Sequence, residues 1–438
     1  MFGPHKSDPI ATRTLRRPAR REYGTVKGDI CVLGAGISGI SAALEAAKLG
    51  RRVVLVDGSP SLGGQAINSI IGTLIGLYSH GEKPCQITHG IADELVNEMT
   101  AAGDMLRRQG GGAGTVTYQY DEVKLARWME RKVEAAGIQT LLGAVLTGVE
   151  FSDRRVRNVD FATRFGPVRV RANGFVDSSG DASLCYEAGL PVREPEEPIY
   201  GTLNFLIENY DPVAVKDLSM QEIHKLLLSA GPKYGLTRHD GHLMPFTGKG
   251  IMLANIGHFE TPLDPLAAAQ MVFKGRQEAD NVLRFLQGEL PAIFKNARIR
   301  AYGNPGIRQS RWICSRRQLT LDAIRKGERP MDAVARCAWW VELHNTIELV
   351  HWERFPENHV YYIPLGCMVP DGADNIIAAG RCVDGDTHAL SAIRVMGPCI
   401  AMGAAAAHAL NLLGDGSLHS LDLARLQKAL YDNLDRAD

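Results

Sequence analysis

The chain has 438 residues, of which 45% are hydrophobic and 22% are charged. This composition is typical of a globular protein of two or three domains, and it excludes a disordered chain, a fibrous protein and a short binding module. The 49 lysines and arginines balance 49 aspartates and glutamates. No net positive charge attracts polyanions, so we expect no nucleic-acid partner.

Residues 1–27 are polar, rich in arginine and proline, and predict an arm packed on the surface. The paired arginines are not followed by an apolar segment, so the sequence predicts no Sec or twin-arginine signal and favours a cytoplasmic location. The longest apolar stretch, residues 399–413, is shorter than the roughly 20 residues of a membrane span. The eight cysteines include no C-x-x-C pair, which predicts reduced thiols and no metal site.

The first regular elements form a β-α-β unit. Residues 29–33 (DICVL) have strand character, apolar residues then recur at helical spacing up to Gly50, and residues 52–57 (RVVLVD) predict a second strand. Further along, residues 123–136 predict a helix that ends at Gly137, and residues 138–145 predict a buried strand. Period-two alternation after residue 151 predicts antiparallel strands that lead back into the sheet at residues 175–177.

The composition changes between residues 191 and 370, where prolines, aromatics and histidines become frequent. One long helix is predicted there, capped by Asp264 with Pro265 in its first turn and ended at Gly288. Residues 375–379 then predict a buried strand, residues 397–414 an alanine-rich helix, and residues 421–434 a terminal amphipathic helix. We therefore predict an α/β fold: a discontinuous Rossmann-type domain of residues 28–190 and 371–438, with an inserted α+β substrate or cap domain of residues 191–370.

A glycine-rich turn between the first strand and the first helix carries the strongest signal. Gly34 permits the tight turn, Gly36 lets the backbone approach a pyrophosphate, and Gly39 allows close packing of helix on strand. Ser38 lies in the first helical turn, whose free N–H groups and partial positive charge attract phosphate. Asp57 ends the second strand, where its carboxylate can accept hydrogen bonds from ribose hydroxyls. The pattern predicts a dinucleotide site.

Three further segments favour FAD over NAD as the dinucleotide. A second glycine pair follows Asp57, an acid and a glycine come at the carboxyl edge of the sheet after Asp177, and a helix begins near residue 397. The positive end of such a helix suits a reduced, anionic flavin, and NAD does not require it. With the strand end at residue 145, these segments supply the remaining predicted cofactor-binding residues: Gly63, Gly64, Gln65, Val145, Gly180, Asp181, Gly380, Arg381, Ser391, Arg394, Met396 and Gly397.

The sequence resembles the FAD-dependent oxidoreductases that group with fumarate reductase flavoproteins, the heterodisulfide reductase A subunit and the flavoprotein of tRNA uridine modification. The resemblance covers almost the whole chain, through PARREYGTVKGD, GAGISG, LGGQA, FVDSSGDA, GRQEADNVLRFLQGELP, PGIRQSRWI and AAGRCVDGDTHALSAIRVMGPCIAMGAAAA. It implies that residues 380–381 and 391–397 surround the flavin and that Asp181 lies near the pyrophosphate. The serines before Gly180 depart mildly from the family pattern, and the chain lacks a second GxGxxG for NAD.

Three residues are the candidates for catalysis. Arg308, in Gly306-Ile307-Arg308-Gln309-Ser310-Arg311, could bind a carboxylate bidentately, or could instead brace a domain interface or touch the cofactor. His344 and His388 each have an acid two residues away, as proton-transfer groups often do, although a structural role is the more frequent one for any single histidine.

These observations favour an FAD enzyme that oxidises a small polar, anionic substrate by hydride transfer to flavin N5. One alternative is a flavin-dependent reductase of an activated double bond, and another is a flavin-binding subunit of a larger complex. The sequence leaves open the electron acceptor, covalent attachment of the flavin and assembly as a homo-oligomer.

Overall fold

The computed structural model describes residue 14 and residues 23–110, 114–246 and 249–436. Most of the predicted N-terminal arm lies outside these residues. The described strands are β1 (Gly24–Lys27), β2 (Ile30–Leu33), β3 (Val53–Asp57), β4 (Thr73–Leu74), β5 (Met105–Gly110), β6 (Thr115–Tyr120), β7 (Gln139–Leu142), β8 (Val145–Ser152), β9 (Arg155–Thr163), β10 (Gly166–Arg171), β11 (Gly174–Asp177), β12 (Val192–Arg193), β13 (Phe205–Glu208), β14 (His242–Phe246), β15 (Ile251–Asn255), β16 (Arg298–Tyr302), β17 (Trp312–Ile313), β18 (Ala333–Cys337), β19 (Val341–Leu343), β20 (His351–Glu353), β21 (Tyr361–Pro364) and β22 (Ile376–Ala378).

The α-helices lie between these strands and after the last of them. They are α1 (Ile37–Lys48), α2 (Gly64–Asn68), α3 (Ile91–Ala101), α4 (Glu122–Ala135), α5 (Ser183–Glu187), α6 (Met220–Ala230), α7 (Pro265–Glu289), α8 (Pro291–Phe294), α9 (Leu321–Lys326), α10 (Thr387–Ile393), α11 (Met396–Leu413), α12 (Leu423–Ala429) and α13 (Tyr431–Leu434). The predicted terminal helix is therefore divided into α12 and α13. The predicted strand 138–145 is also divided, because the chain turns at Gly143 (φ +64°) before β8 begins.

A five-stranded parallel sheet in the order β22-β11-β2-β3-β7 organises the first part of the molecule. Its strands β2, β3, β11 and β22 are apolar and almost wholly buried, as expected for strands covered on both faces. The carboxyl ends of β2, β3, β11 and β22 meet at one edge, where open α/β sheets bind ligands. This topology confirms the predicted Rossmann-type α/β fold, and β22 confirms that the chain returns to the sheet near its C-terminus.

Helix α11 packs against α1 beside this sheet. The Ser41 hydroxyl donates a hydrogen bond of 2.7 Å to the Ile400 carbonyl, and a Cβ at Gly403 would overlap the backbone of Ser38. By length and composition α11 could cross a membrane, but 83% of it is buried inside the protein. We therefore assign α11 as a core helix of the protein.

The predicted antiparallel strands after residue 151 are confirmed. β8, β9 and β10 pair antiparallel in sequence, and β1 adds to β10 in parallel, which gives the order β1-β10-β9-β8. A second antiparallel sheet, β14-β15-β13-β16, lies in the middle of the chain. Its apolar side chains form a core with the long helix α7, separate from the main core.

The main core also takes up residues from 312 to 369, including Trp312, Ile313, Tyr361 and Ile363. The separate core of the antiparallel sheet draws its buried residues from positions 203–297. The proposed boundaries at residues 190 and 370 stay a prediction. The loop that joins β16 to β17 contains Arg308; Ile307 of this loop packs against the separate core, and Trp312 after it belongs to the main core.

Candidate functional site

The turn between β2 and α1 has the shape of a pyrophosphate cradle. Gly34 has φ +98°, and a side chain there would overlap the backbone of Ser178. A Cβ on Gly39 would overlap the Gly34 carbonyl, which shows how closely α1 packs on the turn, whereas a Cβ on Gly36 would meet no atom within 4 Å. The open space at Gly36 lies at the N-terminus of α1, and the Cα of Gly36 lies close to Gly64. These residues fit the phosphates of a dinucleotide.

Asp57 lies at the end of β3 beside this cradle. Its two carboxylate oxygens accept the N–H groups of Ala35 (2.6 Å) and Ser59 (2.7 Å), and each oxygen retains a lone pair for a ribose hydroxyl. The Asp57 carbonyl accepts the N–H of Ala144 (3.0 Å), which places the exposed Val145 close to this end of the site. Cofactor binding by Asp57 and Val145 stays a prediction.

Asp181 and Arg381 form an ion pair of 2.9 Å between the ends of β11 and β22. The Ser310 hydroxyl donates to the same Asp181 oxygen and accepts from Arg381 at 3.2 Å. A Cβ at Gly180 would reach the Arg381 guanidinium. These hydrogen bonds attach the loop between β16 and β17 to the edge of the parallel sheet where the cofactor is predicted to bind.

The side-chain amide of Gln65, in contrast, has hydrogen-bond partners within the protein for both its nitrogen and its oxygen. Its amide N–H donates to the Ile307 carbonyl (2.9 Å) and its amide oxygen accepts the Ile307 N–H (3.1 Å). The Gln65 side chain therefore holds Ile307 beside the glycine pair 63–64, directly before Arg308. This role is structural, and contact of Gln65 with the flavin stays a prediction.

The segment predicted to surround the flavin lies at the junction of α10 and α11. Ser391 accepts the N–H of Glu342 (3.2 Å), and Arg394 donates to the Glu342 carbonyl (3.0 Å). The Nε of Arg394 is buried without a hydrogen-bond partner among the described residues, and Met396 is buried beside it. A polar group supplied by a cofactor would satisfy this nitrogen.

The start of α11 is partly covered by the protein itself. Gly397 donates its N–H to the Ile75 carbonyl (2.9 Å), and Gly76 packs directly against Gly397. This N–H is already satisfied, so stabilisation of a reduced flavin by this helix end stays a prediction. Ser38 and Gly380 are in close contact, and the Ser38 hydroxyl donates to the Ala379 carbonyl (3.3 Å).

Arg308 is half-buried in the loop between β16 and β17. Its guanidinium donates to the Tyr200 carbonyl (2.8 Å) and to the Thr202 hydroxyl (3.1 Å), both neutral oxygens. Burial lowers the pKa of Arg308 well below its usual value, and the nearby guanidinium groups of Arg394 and Arg238 lower it further. In the described part of the chain no carboxylate lies within ion-pair distance of Arg308.

His344 belongs to a buried polar cluster that the sequence did not reveal. Its Nδ1 lies 2.8 Å from Nε2 of His258, and its Nε2 lies 3.1 Å from Oε1 of Glu342. Nδ1 of His258 lies 3.1 Å from the Ile347 carbonyl. Burial lowers the pKa of His258 to about 2 and that of His344 well below its usual value, with Arg308 and Arg238 contributing to both shifts. Both imidazoles are therefore neutral at neutral pH.

His388, the other predicted proton-transfer group, does not join this cluster. It lies in the first turn of α10, half-buried, with its ring edge-on to His351 at a centroid distance of 6.5 Å. No group of histidine, cysteine, aspartate and glutamate within the described ranges could hold a metal ion.

The glycine turn, the acid after β3 and the parallel sheet define a dinucleotide-binding protein of the Rossmann-type α/β class. The chain belongs to the FAD dependent oxidoreductase family, whose model matches residues 29–430. It is therefore an FAD-dependent oxidoreductase, and FAD is its cofactor. The predicted kinship with fumarate reductase flavoproteins and the heterodisulfide reductase A subunit stays a prediction.

Individual relatives are more distant. A segment of 53 residues is 47% identical to dihydrolipoyl dehydrogenase of Manduca sexta, and it covers 12% of this chain and 11% of that protein. Among solved structures, a geranylgeranyl bacteriochlorophyll reductase-like protein from Thermoplasma acidophilum is 14% identical, with 93% of this chain and 83% of that chain covered and a TM-score of 0.47. A flavin-dependent brominase has the same identity and coverage and a TM-score of 0.48. The p-nitrophenol 4-monooxygenase of Pseudomonas putida is 11% identical, with 94% and 83% covered and a TM-score of 0.45. At these scores the similarities bear on neither substrate nor reaction.

Proposed function

We propose that this flavoenzyme oxidises a small polar anion and that Arg308 binds the anionic group. The observation that carries the proposal is the environment of the Arg308 guanidinium, which has two neutral oxygens as partners and two other arginines nearby. A guanidinium that is even half-buried loses hydration, and without a carboxylate partner that loss is not compensated. An anionic substrate would supply the missing charge and could bind the planar guanidinium bidentately.

The charges around Arg308 support an anion. The guanidinium groups of Arg394 and Arg238 lie near Arg308. Arg238 is paired with Asp240 at 2.7 Å, and Arg394 lies 3.9 Å from Oε1 of Glu342. Arg308 has no carboxylate at ion-pair distance among the described residues, and an anionic group would balance its charge.

FAD bound at the glycine turn and along residues 391–397 supplies a two-electron acceptor. The residues of the chain bind and orient the substrate: Arg308 fixes its anionic group, and the Gln65 amide holds the backbone on which Arg308 lies. Arg308 is half-buried, and partial removal from water strengthens these polar contacts. A base is also needed for the proton that an alcohol or amine loses on oxidation.

The proposal is tested by mixing the oxidised holoenzyme anaerobically with small hydroxy and amino acids and following the loss of flavin absorbance. With the substrate that bleaches the flavin, Arg308→Ala should raise the half-saturating concentration about 30-fold or more, the equivalent of about 2 kcal/mol for a charge left unpaired. Arg298→Ala is the matched control, because Arg298 makes an exposed ion pair with Glu208 on a neighbouring strand. Equal saturation in wild type and Arg308→Ala would remove Arg308 from the site.

The same experiment decides the direction of electron transfer. A dehydrogenase substrate bleaches oxidised flavin, whereas the substrate of a reductase restores the absorbance of flavin that has been chemically reduced beforehand. A compound that acts only in the second manner would overturn the proposed oxidation and favour reduction of an activated double bond. The family assignment would be unaffected.

A further inference from the structure

The buried polar cluster of His258, His344 and Glu342 is a line of hydrogen-bonding groups, with an oxygen acceptor of the protein at each end. It runs from the Ile347 carbonyl through His258 and His344 to the Glu342 carboxylate, with contacts of 3.1, 2.8 and 3.1 Å. Each of the three contacts needs one hydrogen. Each neutral imidazole carries one N–H hydrogen, so the two rings supply only two hydrogens for the three contacts.

The Ile347 carbonyl decides which contact lacks its hydrogen. A carbonyl accepts only, so Nδ1 of His258 carries the hydrogen and Nε2 of His258 is an acceptor. Nδ1 of His344 must then donate to His258, and Nε2 of His344 presents a lone pair to Oε1 of Glu342. The missing hydrogen belongs between His344 and Glu342.

Neither histidine has a nitrogen free for a substrate. Both nitrogens of each ring are engaged within the line, and the His344 side chain is 1% exposed. Glu342 is 17% exposed, its Oε2 accepts the Trp339 indole N–H at 3.0 Å, and both oxygens keep a lone pair. The backbone of Glu342 bonds to Ser391 and Arg394 of the segment predicted to surround the flavin, and the Arg394 guanidinium also lies 3.9 Å from Oε1 of Glu342.

We propose that Glu342 is the base that takes the substrate's proton, and that His344 and His258 are positioning residues whose fixed tautomers draw that proton to Glu342. The substrate is that of the function proposed above. For an alcohol, the carbon–hydrogen bond breaks with its electron pair going to FAD as hydride, and the hydroxyl proton goes to Glu342 while a carbonyl forms. The protonated Glu342 then donates to Nε2 of His344 and completes the line.

Charged and titratable groups from several packed segments face this line. Arg308 and Arg394 oppose a positive charge on His344, Arg238 opposes one on His258, and Asp240 is paired with Arg238. Glu278 of α7 accepts the backbone N–H of His258 at 3.2 Å, and burial raises the pKa of Glu278 to about 7. The two histidines thus resist protonation, and Glu342 is the group in the line left to accept a proton.

The tautomers can be tested without turnover, by nitrogen-15 NMR of histidine-labelled holoenzyme at neutral pH with assignment by His258→Phe and His344→Phe. We expect both rings to be neutral with the hydrogen on Nδ1. A hydrogen on Nε2 of His344, or an imidazolium at either position, would overturn the proposal. This measurement does not require the substrate, so its outcome does not depend on whether the proposed function is correct.

The base is tested by Glu342→Gln. A glutamine amide can donate to Nε2 of His344 and keep the line intact, but it cannot take a proton. We expect kcat for anaerobic flavin reduction to fall about 10²- to 10⁴-fold, the usual contribution of a general base, with the substrate's dissociation constant changed less than about threefold. Glu353→Gln, which breaks a surface ion pair with Arg325, is the control. Equal loss in both variants, or no loss in Glu342→Gln, would overturn the assignment.

His258→Phe separates the positioning role from a structural one. Without Nε2 of His258, His344 is free to place its hydrogen on Nε2 and donate to Glu342, which stabilises the carboxylate and weakens it as a base. We expect the pH below which kcat falls to move downward, and kcat on the plateau to decrease. His359→Phe is the control, since His359 also contacts a backbone carbonyl, that of Ile324 at 2.7 Å. An unchanged pH profile in His258→Phe would contradict the role.

Discussion

At the scale of single residues, two glycines of the same turn serve opposite purposes. A side chain on Gly39 would collide with the Gly34 carbonyl, whereas a side chain on Gly36 would meet no atom of the protein. The fold therefore requires a glycine at position 39. At position 36 the protein itself leaves room for a side chain, so a glycine is needed there only for the ligand that occupies this space.

This contrast makes Gly36→Val a test of the FAD site. Gly36 has φ −70°, which any residue adopts, so the variant should fold normally while its side chain fills the phosphate cradle. We expect FAD affinity to fall at least tenfold, or about 1.4 kcal/mol, measured by titrating the deflavinated protein with FAD. Gly148→Val is the control, because Gly148 also faces open space, in β8. Wild-type FAD affinity in Gly36→Val would place the phosphates elsewhere.

The residues of the glycine turn were predictable because the signal is local. Gly34, Gly36, Gly39 and Asp57 lie within one β-α-β unit, and the spacing alone determines their geometry. Glu342 was missed as a functional residue because its role depends on His258, which is remote in the chain. A usable signal existed: Glu342 and His344 are two residues apart at β19, and alternate residues of a strand share a face.

At the scale of elements, helices with local caps were predicted closely. The Asp264 carboxylate accepts the N–H of Ala267 at 2.8 Å, and α7 ends at Glu289, one residue beyond the predicted glycine. Helix α6 was not predicted, although Ser219 and Glu222 form a capping box at its start. That omission was avoidable, whereas the division of the terminal helix after Ala429 follows from packing that the sequence pattern does not encode.

The contact between α1 and α11 gives a prediction for an element as a whole. Gly403 of α11 lies so close to Ser38 that a Cβ would overlap the Ser38 carbonyl. Gly403→Val should therefore push the two helices apart and lower the free energy of unfolding by about 1–3 kcal/mol, as overpacking does. Urea unfolding of the holoprotein measures the change, with Gly148→Val as control. A stability equal to that of the wild type would show that α11 shifts without cost.

At the scale of the whole molecule, the antiparallel sheet is joined to the first part of the chain by an apolar cluster, in which Ile70 packs with Leu206 and Leu253, and by specific polar contacts. Gln65 bonds both backbone groups of Ile307, and Arg381 and Asp181 share Ser310. These contacts bridge large sequence separations, so no local pattern predicts them. Residues 312–369 were assigned to the inserted domain on composition, but many of them pack into the main core, and only the folded chain shows this.

Several buried neutral histidines make the stability of the molecule depend on pH. Burial lowers the pKa of His80 to about 4 and that of His258 to about 2, and it lowers that of His344 well below the usual 6.5. Below pH 6.5 the unfolded chain binds protons that the folded chain does not, so stability falls as the pH falls, by up to about 1.4 kcal/mol per pH unit for each histidine. Glu278 has the opposite effect between its usual pKa of 4.5 and its raised pKa of about 7, because the folded state holds its proton.

The free energy of unfolding of the FAD-saturated protein should therefore decrease as the pH is lowered from 6.5 towards 4.5, as measured by urea titration at several pH values. His80→Phe should make this dependence shallower, since one neutral histidine is removed while a ring remains to stack on Trp340. Glu278→Gln should make it steeper, because the opposing group no longer titrates. If both variants kept the wild-type slope, His80 and Glu278 would not be sources of the pH dependence, and the shifts of pKa inferred for these two groups would be wrong.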